Sequence, residues 1–259
     1  MADPRPLALI TGASSGIGLE LAKQFAQNGF DLLVNAEDAG IEAAAAQLRT
    51  SGATVHVVQA DLRTPDGVER VYAAAGRPLA AAALNAGIGR GKAFVDQDLA
   101  DVLAVVDLNV RSTTHLAHLV LRDMVARGEG RVLLTSSIAS TMPGAFQAVY
   151  NASKSFVQSF AEALQEELRD SPVTVTSLMP GPTETNFFPR GDLMDTRVGQ
   201  SSKDDAADVA RQGFDALMKG ERRVVAASLM TKVMEATNKV TPDSVKAFAH
   251  RLMAAPSSK

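Results

Sequence analysis

The sequence predicts an α/β protein with a doubly wound, mainly parallel sheet of seven strands and helices on both faces. Three observations predict this fold class. Short apolar runs alternate with longer segments of helical periodicity along the 259 residues. The runs are apolar at nearly every position, as in strands buried on both sides. A glycine-containing turn follows the first run. Strands that alternate with helices pair in parallel through right-handed crossovers.

The elements follow one another in a regular order along the chain. The predicted strands are Leu7–Thr11, Asp31–Asn35, Thr54–Gln59, Leu79–Leu84, Arg131–Thr135, Val173–Met179 and Arg223–Ala226. The predicted helices are Ile17–Asn28, Ala39–Thr50, Pro65–Ala75, Leu99–Arg127, Val149–Arg169 and Asp204–Lys219, and a helical end follows Pro242. Thr64–Pro65 marks a helix start. The fourth strand has helical propensity and is assigned from the rhythm of the elements.

Composition excludes several classes of function. The net charge of -3 gives no reason to expect nucleic acid or a membrane surface as a partner. No cysteine is present, so disulfides and thiolate chemistry are impossible. His115 and His118 lie three residues apart in a helical pattern, and no metal site is expected. We expect a cytoplasmic protein forming one domain over residues 1–259, with a substrate loop at about 186–203 and a C-terminal extension at about 227–259.

The turn after the first strand reads TGASSGIG and is the first candidate binding site. Gly12 permits the tight turn, Gly16 lets the backbone approach a pyrophosphate, and Gly18 lets helix and strand pack closely. The following helix begins with free N–H groups and the positive end of its dipole, both of which favour phosphate. We therefore expect dinucleotide binding here, with Ser14, Ser15 and Ile17 among the contacts; a purely structural turn is the alternative.

Further motifs accompany the glycine turn in a fixed order. They are Asn85–Gly87 (NAG) after the fourth strand, Asn109 in DLNVRST, Ser137 in TSSIAS, Tyr150–Lys154 (YNASK), and Pro180–Thr185 (PGPTET) after the sixth strand. Together they resemble the single-domain branch of the short-chain dehydrogenase/reductase family over roughly residues 5–226. The resemblance implies a Rossmann fold and an NAD(P)-dependent oxidoreductase acting on an alcohol or carbonyl substrate.

The resemblance also implies roles for four residues, Asn109, Ser137, Tyr150 and Lys154. Tyr150 would be the general acid/base, Ser137 would orient the substrate oxygen, and Lys154 would hold the nicotinamide ribose. A free tyrosine has a pKa near 10, and the positive charges of Lys154 and the oxidised nicotinamide are expected to lower it. Taken alone, Tyr150 and Lys154 could be a helix surface pair. Asn109 would hold a water that links the lysine to solvent; a buried structural amide is the alternative.

The remaining cofactor contacts are also implied by the resemblance. Asp61 would contact the adenine, although a helix cap is an equal alternative, and Thr185 would contact the nicotinamide carboxamide. The other expected contacts are Leu62, Asn85, Ala86, Gly87, Pro180, Gly181 and Thr183.

The end of the second strand should choose between NAD and NADP. An acidic residue there binds the ribose 2′-hydroxyl, and an arginine accepts a 2′-phosphate. This chain has Asn35, Ala36, Glu37 and Asp38, and Ser15 stands where some NADP-dependent members carry a basic residue. No cation is visible in this segment and two carboxylates are close, so the sequence favours NAD; a distant Arg or Lys that folds in could overturn this preference. Glu37 could reach the ribose or could be a solvated acid at a helix start.

The substrate end is the least determined part of the sequence. Met142, Phe146, Phe187, Phe188 and Met194 either line a pocket for an apolar small-molecule substrate or belong to the core. Two other functions stay open, namely a nucleotide-binding sensor or scaffold and a non-redox lyase or epimerase. The resemblance implies a homodimer or homotetramer formed through the helices that carry Asn109 and Tyr150. The apolar C-terminal segment could join a second interface or cover the pocket.

Overall fold

A parallel seven-stranded sheet forms the centre of the molecule. The computed structural model describes residues 5–226 and 241–255. The strands are β1 (Leu7–Thr11), β2 (Asp31–Ala36), β3 (Val55–Gln59), β4 (Leu79–Leu84), β5 (Arg131–Thr135), β6 (Thr174–Pro180) and β7 (Arg223–Ala226). Their order is β3-β2-β1-β4-β5-β6-β7, and every neighbouring pair is parallel. The predicted fold class and all seven predicted strands are therefore confirmed.

Helices connect the strands. They are α1 (Gly16–Gln27), α2 (Gly40–Arg49), α3 (Pro65–Ala73), α4 (Leu99–Val106), α5 (Thr113–Arg127), α6 (Ala148–Glu167), α7 (Phe187–Arg190), α8 (Arg197–Gln200), α9 (Ala206–Lys219) and α10 (Asp243–Ala254). The Thr64 side chain caps α3 by accepting from the Gly67 N–H, and Asp205 caps α9 in the same way. Gly128 and Gly220 end α5 and α9 in the left-handed conformation.

Two segments differ from the sequence prediction. The helix predicted as continuous over Leu99–Arg127 is divided by a π-helical turn, Asp107–Ser112, between α4 and α5. The stretch 186–203, predicted as irregular, contains the short helices α7 and α8. The predicted C-terminal extension lies partly outside the described residues, which include α10 but not 227–240 or 256–259. Its place in a single domain over 1–259 stays a prediction.

Apolar side chains cover both faces of the sheet. Successive β1 residues point to opposite faces, so Ile10 packs with α1 and α9 while Leu9 packs with the layer that contains α5 and α6. On the first face, Phe25 of α1 meets Phe214 of α9 edge-on, with ring centroids 5.0 Å apart. Burial on both faces explains why the strands are apolar at nearly every position.

The strand order also fixes where a ligand can bind. The chain runs outward from β1 to β3 and then returns to place β4 on the other side of β1. The connections on the two sides of this point leave towards opposite faces of the sheet and open a crevice at the carboxyl ends of the strands.

Candidate active site

A cavity of about 1070 Å³ opens at the carboxyl ends of the strands. Every residue predicted to contact the cofactor lines it, and so does Ser137. Asn109 does not line the cavity and lies behind its wall, only 1% exposed. The structure thus brings the predicted residues together, while their individual roles stay predictions.

The glycine turn between β1 and α1 has the geometry of a phosphate-binding turn. Gly12 and Gly16 have φ angles of 67° and 57°, which favour glycine. A Cβ atom on Gly18 would lie 2.1 Å from the Gly12 carbonyl oxygen, and one on Gly16 would lie 2.8 Å from Thr185. Ser15 precedes α1 and makes no side-chain capping bond, so the first N–H groups of α1 are left for an anion at the cavity wall. These residues fit the pyrophosphate of a dinucleotide.

The turn after β4 is held by a residue that the sequence analysis missed. Thr11 accepts at Oγ1 from the backbone N–H groups of Asn85 and Ala86, at 2.9 and 3.0 Å. The Asn85 side chain accepts in turn from the Thr135 hydroxyl at 3.1 Å. A Cβ atom on Gly87 would lie 3.2 Å from Lys154 Nζ. The turn therefore runs close to Lys154 because glycine leaves the space.

Asn109 lies in the π-helical turn and bonds across to the segment after β4. Its Oδ1 accepts from the Ile88 N–H at 3.0 Å, and its Nδ2 donates to the Ile88 carbonyl and to Ser153 Oγ, both at 2.9 Å. These bonds match the structural alternative, a satisfied buried amide. π-helical turns are frequent at functional sites, so a role in proton exchange stays a prediction.

Ser137, Tyr150 and Lys154 meet at the inner end of the cavity. Tyr150 and Lys154 are one turn apart on α6, and Lys154 Nζ lies 5.9 Å from the centroid of the tyrosine ring. Lys154 Nζ donates to the Thr135 carbonyl at 2.8 Å. Ser137 Oγ accepts from the Ala139 N–H at 3.1 Å and donates to the Pro180 carbonyl at 3.4 Å. Ser136 instead donates to the Lys154 carbonyl at 3.1 Å, so its hydroxyl is satisfied at the end of β5.

Burial shifts both titratable groups towards their neutral forms. It raises the pKa of Tyr150 to about 12, although the hydrogen bond with Ser137 opposes this shift. Burial also lowers the pKa of Lys154 to about 8. Burial is the larger cause of the shift in the tyrosine pKa, and the expected lowering of that pKa by Lys154 and the oxidised nicotinamide stays a prediction. Tyr150 carries its proton at neutral pH.

The adenosine end of the cavity is formed by β2, β3 and the residues after them. Asn35 Nδ2 donates to the carbonyls of Val58 and Ala60, at 2.9 and 3.0 Å. The side-chain amide N–H groups of Asn35 are therefore bonded to the backbone of β3 and of the residue that follows it. Asp61 is not the cap of α3, because Thr64 is. The helix-cap alternative is thus wrong, and Asp61 faces the cavity.

Two arginines lie near the carboxylates of Glu37, Asp38 and Asp61 at the adenosine end of the cavity. Arg63 contacts Asp61 at 2.9 Å and Glu37 at 3.0 Å, and its hydrogen bond holds the pKa of Asp61 below the usual value. Arg190 of α7 lies 3.6 Å from Asp38. These are the distant basic side chains that the sequence left open as an argument against NAD. These arginines escaped the sequence reading because both lie outside the β2 segment and reach it only in the fold.

The substrate end is partly as predicted. Met142, Phe187 and Phe188 line the cavity, and the Phe187 ring packs 5.0 Å from that of Tyr150. Phe146 and Met194 are not among the residues that line it, and Met194 is half exposed. An aromatic ring thus lies beside Tyr150, and Met142 and Phe188 line the same cavity.

Helix α10 closes this end of the cavity. Val245, Ala249 and Met253 line it. Lys246 Nζ donates to the Thr141 carbonyl at 3.1 Å, and His250 Nδ1 lies 3.0 Å from the Ala145 carbonyl. The α10 part of the C-terminal segment therefore lines the cavity, and the role of the whole segment stays a prediction. The sequence signalled only an apolar helix, without its location.

Two kinds of site are not found among the described residues. Within 5–226 and 241–255, no three histidine, aspartate or glutamate side chains form a group that could hold a metal ion. No helix in the described ranges is long and apolar enough to cross a membrane.

Comparison with known proteins places this site in a family. The family model for short chain dehydrogenases matches residues 6–192. An uncharacterized short-chain type dehydrogenase/reductase of Sinorhizobium fredii is 36% identical over 184 residues, which cover 70% of this chain and 71% of that protein.

Two solved structures are similar over most of the chain. A short-chain dehydrogenase from Sphingobium yanoikuyae in complex with NADPH has a TM-score of 0.78 and 28% identity, covering 90% of this chain and 94% of that one. A short chain dehydrogenase/reductase from Burkholderia phymatum in complex with NAD has a TM-score of 0.82 and 25% identity, covering 93% and 94%. The chain belongs to the short-chain dehydrogenase/reductase family, whose reaction is hydride transfer to or from a nicotinamide cofactor.

Proposed function

We propose that this protein interconverts an alcohol and a carbonyl compound, with Tyr150 as the general acid/base. One observation carries the proposal. Tyr150, Ser137 and Lys154 line the same cavity as the glycine turn of α1, and Lys154 Nζ lies 5.9 Å from the centroid of the tyrosine ring. A nucleotide anchored at that turn and a substrate oxygen at Tyr150 would share one continuous space.

Each group of the chain has a distinct task in this proposal. In reduction, Tyr150 gives its proton to the carbonyl oxygen, and its raised pKa ensures that the proton is present. Ser137 hydrogen-bonds the same oxygen and orients it. The Lys154 ammonium, fixed by the Thr135 carbonyl, favours the phenolate that forms when the proton leaves. In oxidation the same groups act in reverse.

The cofactor is a nicotinamide dinucleotide, and we propose NAD over NADP. When bound, it supplies or accepts the hydride. Support comes from the three carboxylates at the adenosine end, Glu37, Asp38 and Asp61, against which Arg63 and Arg190 set two positive charges. The balance remains negative and disfavours a 2′-phosphate. The basic side chains make this preference smaller than the sequence alone indicates.

The substrate is proposed to be an apolar ketone, aldehyde or secondary alcohol. Phe187 packs beside Tyr150, and Phe188, Met142, Val245 and Met253 add apolar side chains to the same cavity. Burying hydrocarbon against such an apolar wall stabilises the bound substrate by roughly 25 cal/mol per Å² of apolar surface removed from water.

We further propose a homodimer or homotetramer. Leu99 and Leu103 on α4 are 66% and 50% exposed, and Phe156 on the neighbouring α6 is 39% exposed. Large apolar side chains clustered on adjacent helices are typical of an isologous contact between copies. The cytoplasmic location stays a prediction from the cysteine-free sequence.

The test is the variant Tyr150→Phe against a panel of apolar ketones, aldehydes and alcohols with both cofactors. We expect turnover to fall at least ~100-fold while nicotinamide binding, followed by fluorescence, is retained. Tyr72 is the other tyrosine in the chain and bonds Asp123 away from the cavity, so Tyr72→Phe is a matched control that should keep full activity. Retained turnover in Tyr150→Phe would refute the assigned role.

The same panel separates the two alternative functions. Cofactor binding without turnover of any compound would favour a sensor or scaffold. Product formation without net change in the cofactor would favour a lyase or epimerase.

A further inference from the structure

Arg190 is the basic side chain that the substrate loop brings to the adenosine end of the cavity. The basic residues lining the cavity in the described part of the chain are Lys154, Arg190, Lys203, Lys246 and His250. Lys203 bonds the carbonyls of Gly199 and Ser201, and Lys246 bonds that of Thr141. Arg190 contacts the side chain of Asp38 across the cavity.

The position of Asp38 shows where Arg190 points. Asp38 Oδ2 accepts from the Ser14 hydroxyl at 2.9 Å, and its Oδ1 accepts from the Gly40 N–H at 3.0 Å. Ser14 belongs to the glycine turn and Gly40 begins α2, so the guanidinium contacts a carboxylate that joins the two helix starts at the nucleotide end. Both helix starts and the guanidinium attract anions.

The contact between Arg190 and Asp38 is weak enough for a phosphate to replace Asp38 as the partner of the guanidinium. Their closest atoms are 3.6 Å apart, longer than a normal hydrogen bond. The side chains are 54% and 35% exposed, and exposed ion pairs of this kind contribute little to stability. A phosphate offers the guanidinium two oxygens and a planar, bidentate geometry. It would therefore compete well with one distant carboxylate oxygen.

The backbone of α7 is fixed while the side chain is free to turn. Arg90 donates to the Arg190 carbonyl, and the Gly91 N–H donates to the Gly191 carbonyl at 2.8 Å. These bonds tie α7 to the segment after β4. Arg190 can thus change its partner without unfolding the loop.

We propose that Arg190 binds a phosphate of the nicotinamide cofactor, with Asp38 holding the guanidinium when no nucleotide is bound. This rests on the proposed use of a nicotinamide dinucleotide. The phosphate is either one of the pyrophosphate pair, common to both cofactors, or the 2′-phosphate of NADP. In either case the substrate loop contacts the cofactor through its own cation, and the Arg190 side chain, not the backbone of the loop, changes its partner.

The experiment is equilibrium titration of the full chain with NADH and NADPH, read by nicotinamide fluorescence. The variants are Arg190→Gln, Asp38→Asn and the double variant. Arg211→Gln is the matched control, because Arg211 also pairs with an aspartate, is also 54% exposed and does not line the cavity. A charged hydrogen bond at a half-exposed site predicts about a tenfold loss of affinity in Arg190→Gln.

The two cofactors identify the phosphate. An equal loss with NADH and NADPH assigns Arg190 to the pyrophosphate, and a loss confined to NADPH assigns it to the 2′-phosphate. Asp38→Asn should tighten binding, because it removes both a carboxylate and the competitor for Arg190. The loss should also shrink as salt is added.

The double variant separates direct binding from mere neutralisation of Asp38. If Arg190 contacts the phosphate, Arg190→Gln still weakens binding in the Asp38→Asn background. Equal affinity of Asp38→Asn and the double variant would overturn the proposal, as would unchanged affinity in Arg190→Gln. If the wild-type protein binds neither nucleotide while circular dichroism shows it folded, the proposed function itself fails, and the assignment of Arg190 fails with it.

Discussion

Lys154 should make the stability of the cofactor-free protein depend on pH. Its side chain is 5% exposed, and burial lowers its pKa from 10.5 to about 8. The folded protein therefore binds this proton more weakly than the unfolded chain does. Stability rises with pH wherever the unfolded state holds more protons. The contribution is most unfavourable below pH 8, improves as pH rises from about 8, and reaches its full neutral value above about 10.5.

The size of the effect follows from the two pKa values. A fall from 10.5 to about 8 corresponds to roughly 3 kcal/mol between the charged and neutral lysine. Between pH 7 and pH 9.5 the folded protein should regain about 2 kcal/mol of this. Tyr150 adds little in this window, because its pKa of about 12 and the free value of 10 both lie above it.

The assay is urea unfolding of the wild type and Lys154→Met at pH 7 and pH 9.5. Methionine has no ammonium to bury, so the free energy of unfolding of the variant should rise relative to that of the wild type at pH 7. This difference should shrink by about 2 kcal/mol at pH 9.5, where the wild-type lysine is neutral. Lys219→Met, at the exposed end of α9, controls for the loss of one positive charge. If the free energy of unfolding of Lys154→Met and that of the wild type changed in parallel with pH, burial would not lower the pKa of Lys154 as described.

Three further substitutions test other parts of the structure. Gly18→Ala places a Cβ atom 2.1 Å from the Gly12 carbonyl and should cost about 2 kcal/mol and weaken NADH binding; unchanged unfolding and titration curves would contradict the tight turn. Asn109→Leu leaves the Ile88 N–H and carbonyl unpaired and should cost about 3 kcal/mol in urea unfolding, whereas a neutral effect would mean that water replaces the amide. Leu103→Glu should give folded monomers in analytical ultracentrifugation, and an unchanged mass would exclude α4 from the interface.

Most of the fold could be predicted because its signals are local. The apolar run Leu7–Thr11, the glycine turn and the start of α1 are continuous in sequence, so one short stretch reports strand, turn and helix. Tyr150 and Lys154 are also local, since four residues on a helix place both on one face. Burial of this pair could not be read from spacing, and burial decides their pKa values.

The features that the sequence did not show depend on long-range contacts. The π-helical turn around Asn109 accompanies bonds to Ile88, and nothing within DLNVRST marks it. Arg190 meets Asp38 only after the sheet has formed between them. The location of α10 follows from bonds to Thr141 and Ala145, on a segment far away in the chain.

The packing of α9 on α1 has a consequence for synthesis of the chain on the ribosome. Phe25 of α1 is fully buried partly by Phe214 of α9, which follows it by most of the chain length. At roughly 5–20 residues per second, a nascent chain would expose this apolar face on the order of ten seconds or longer. Strands β1–β3 and helix α1 are synthesised early, but α9, which packs on α1, is synthesised late. The apolar face of α1 therefore lacks this cover until translation passes Lys219, the last residue of α9.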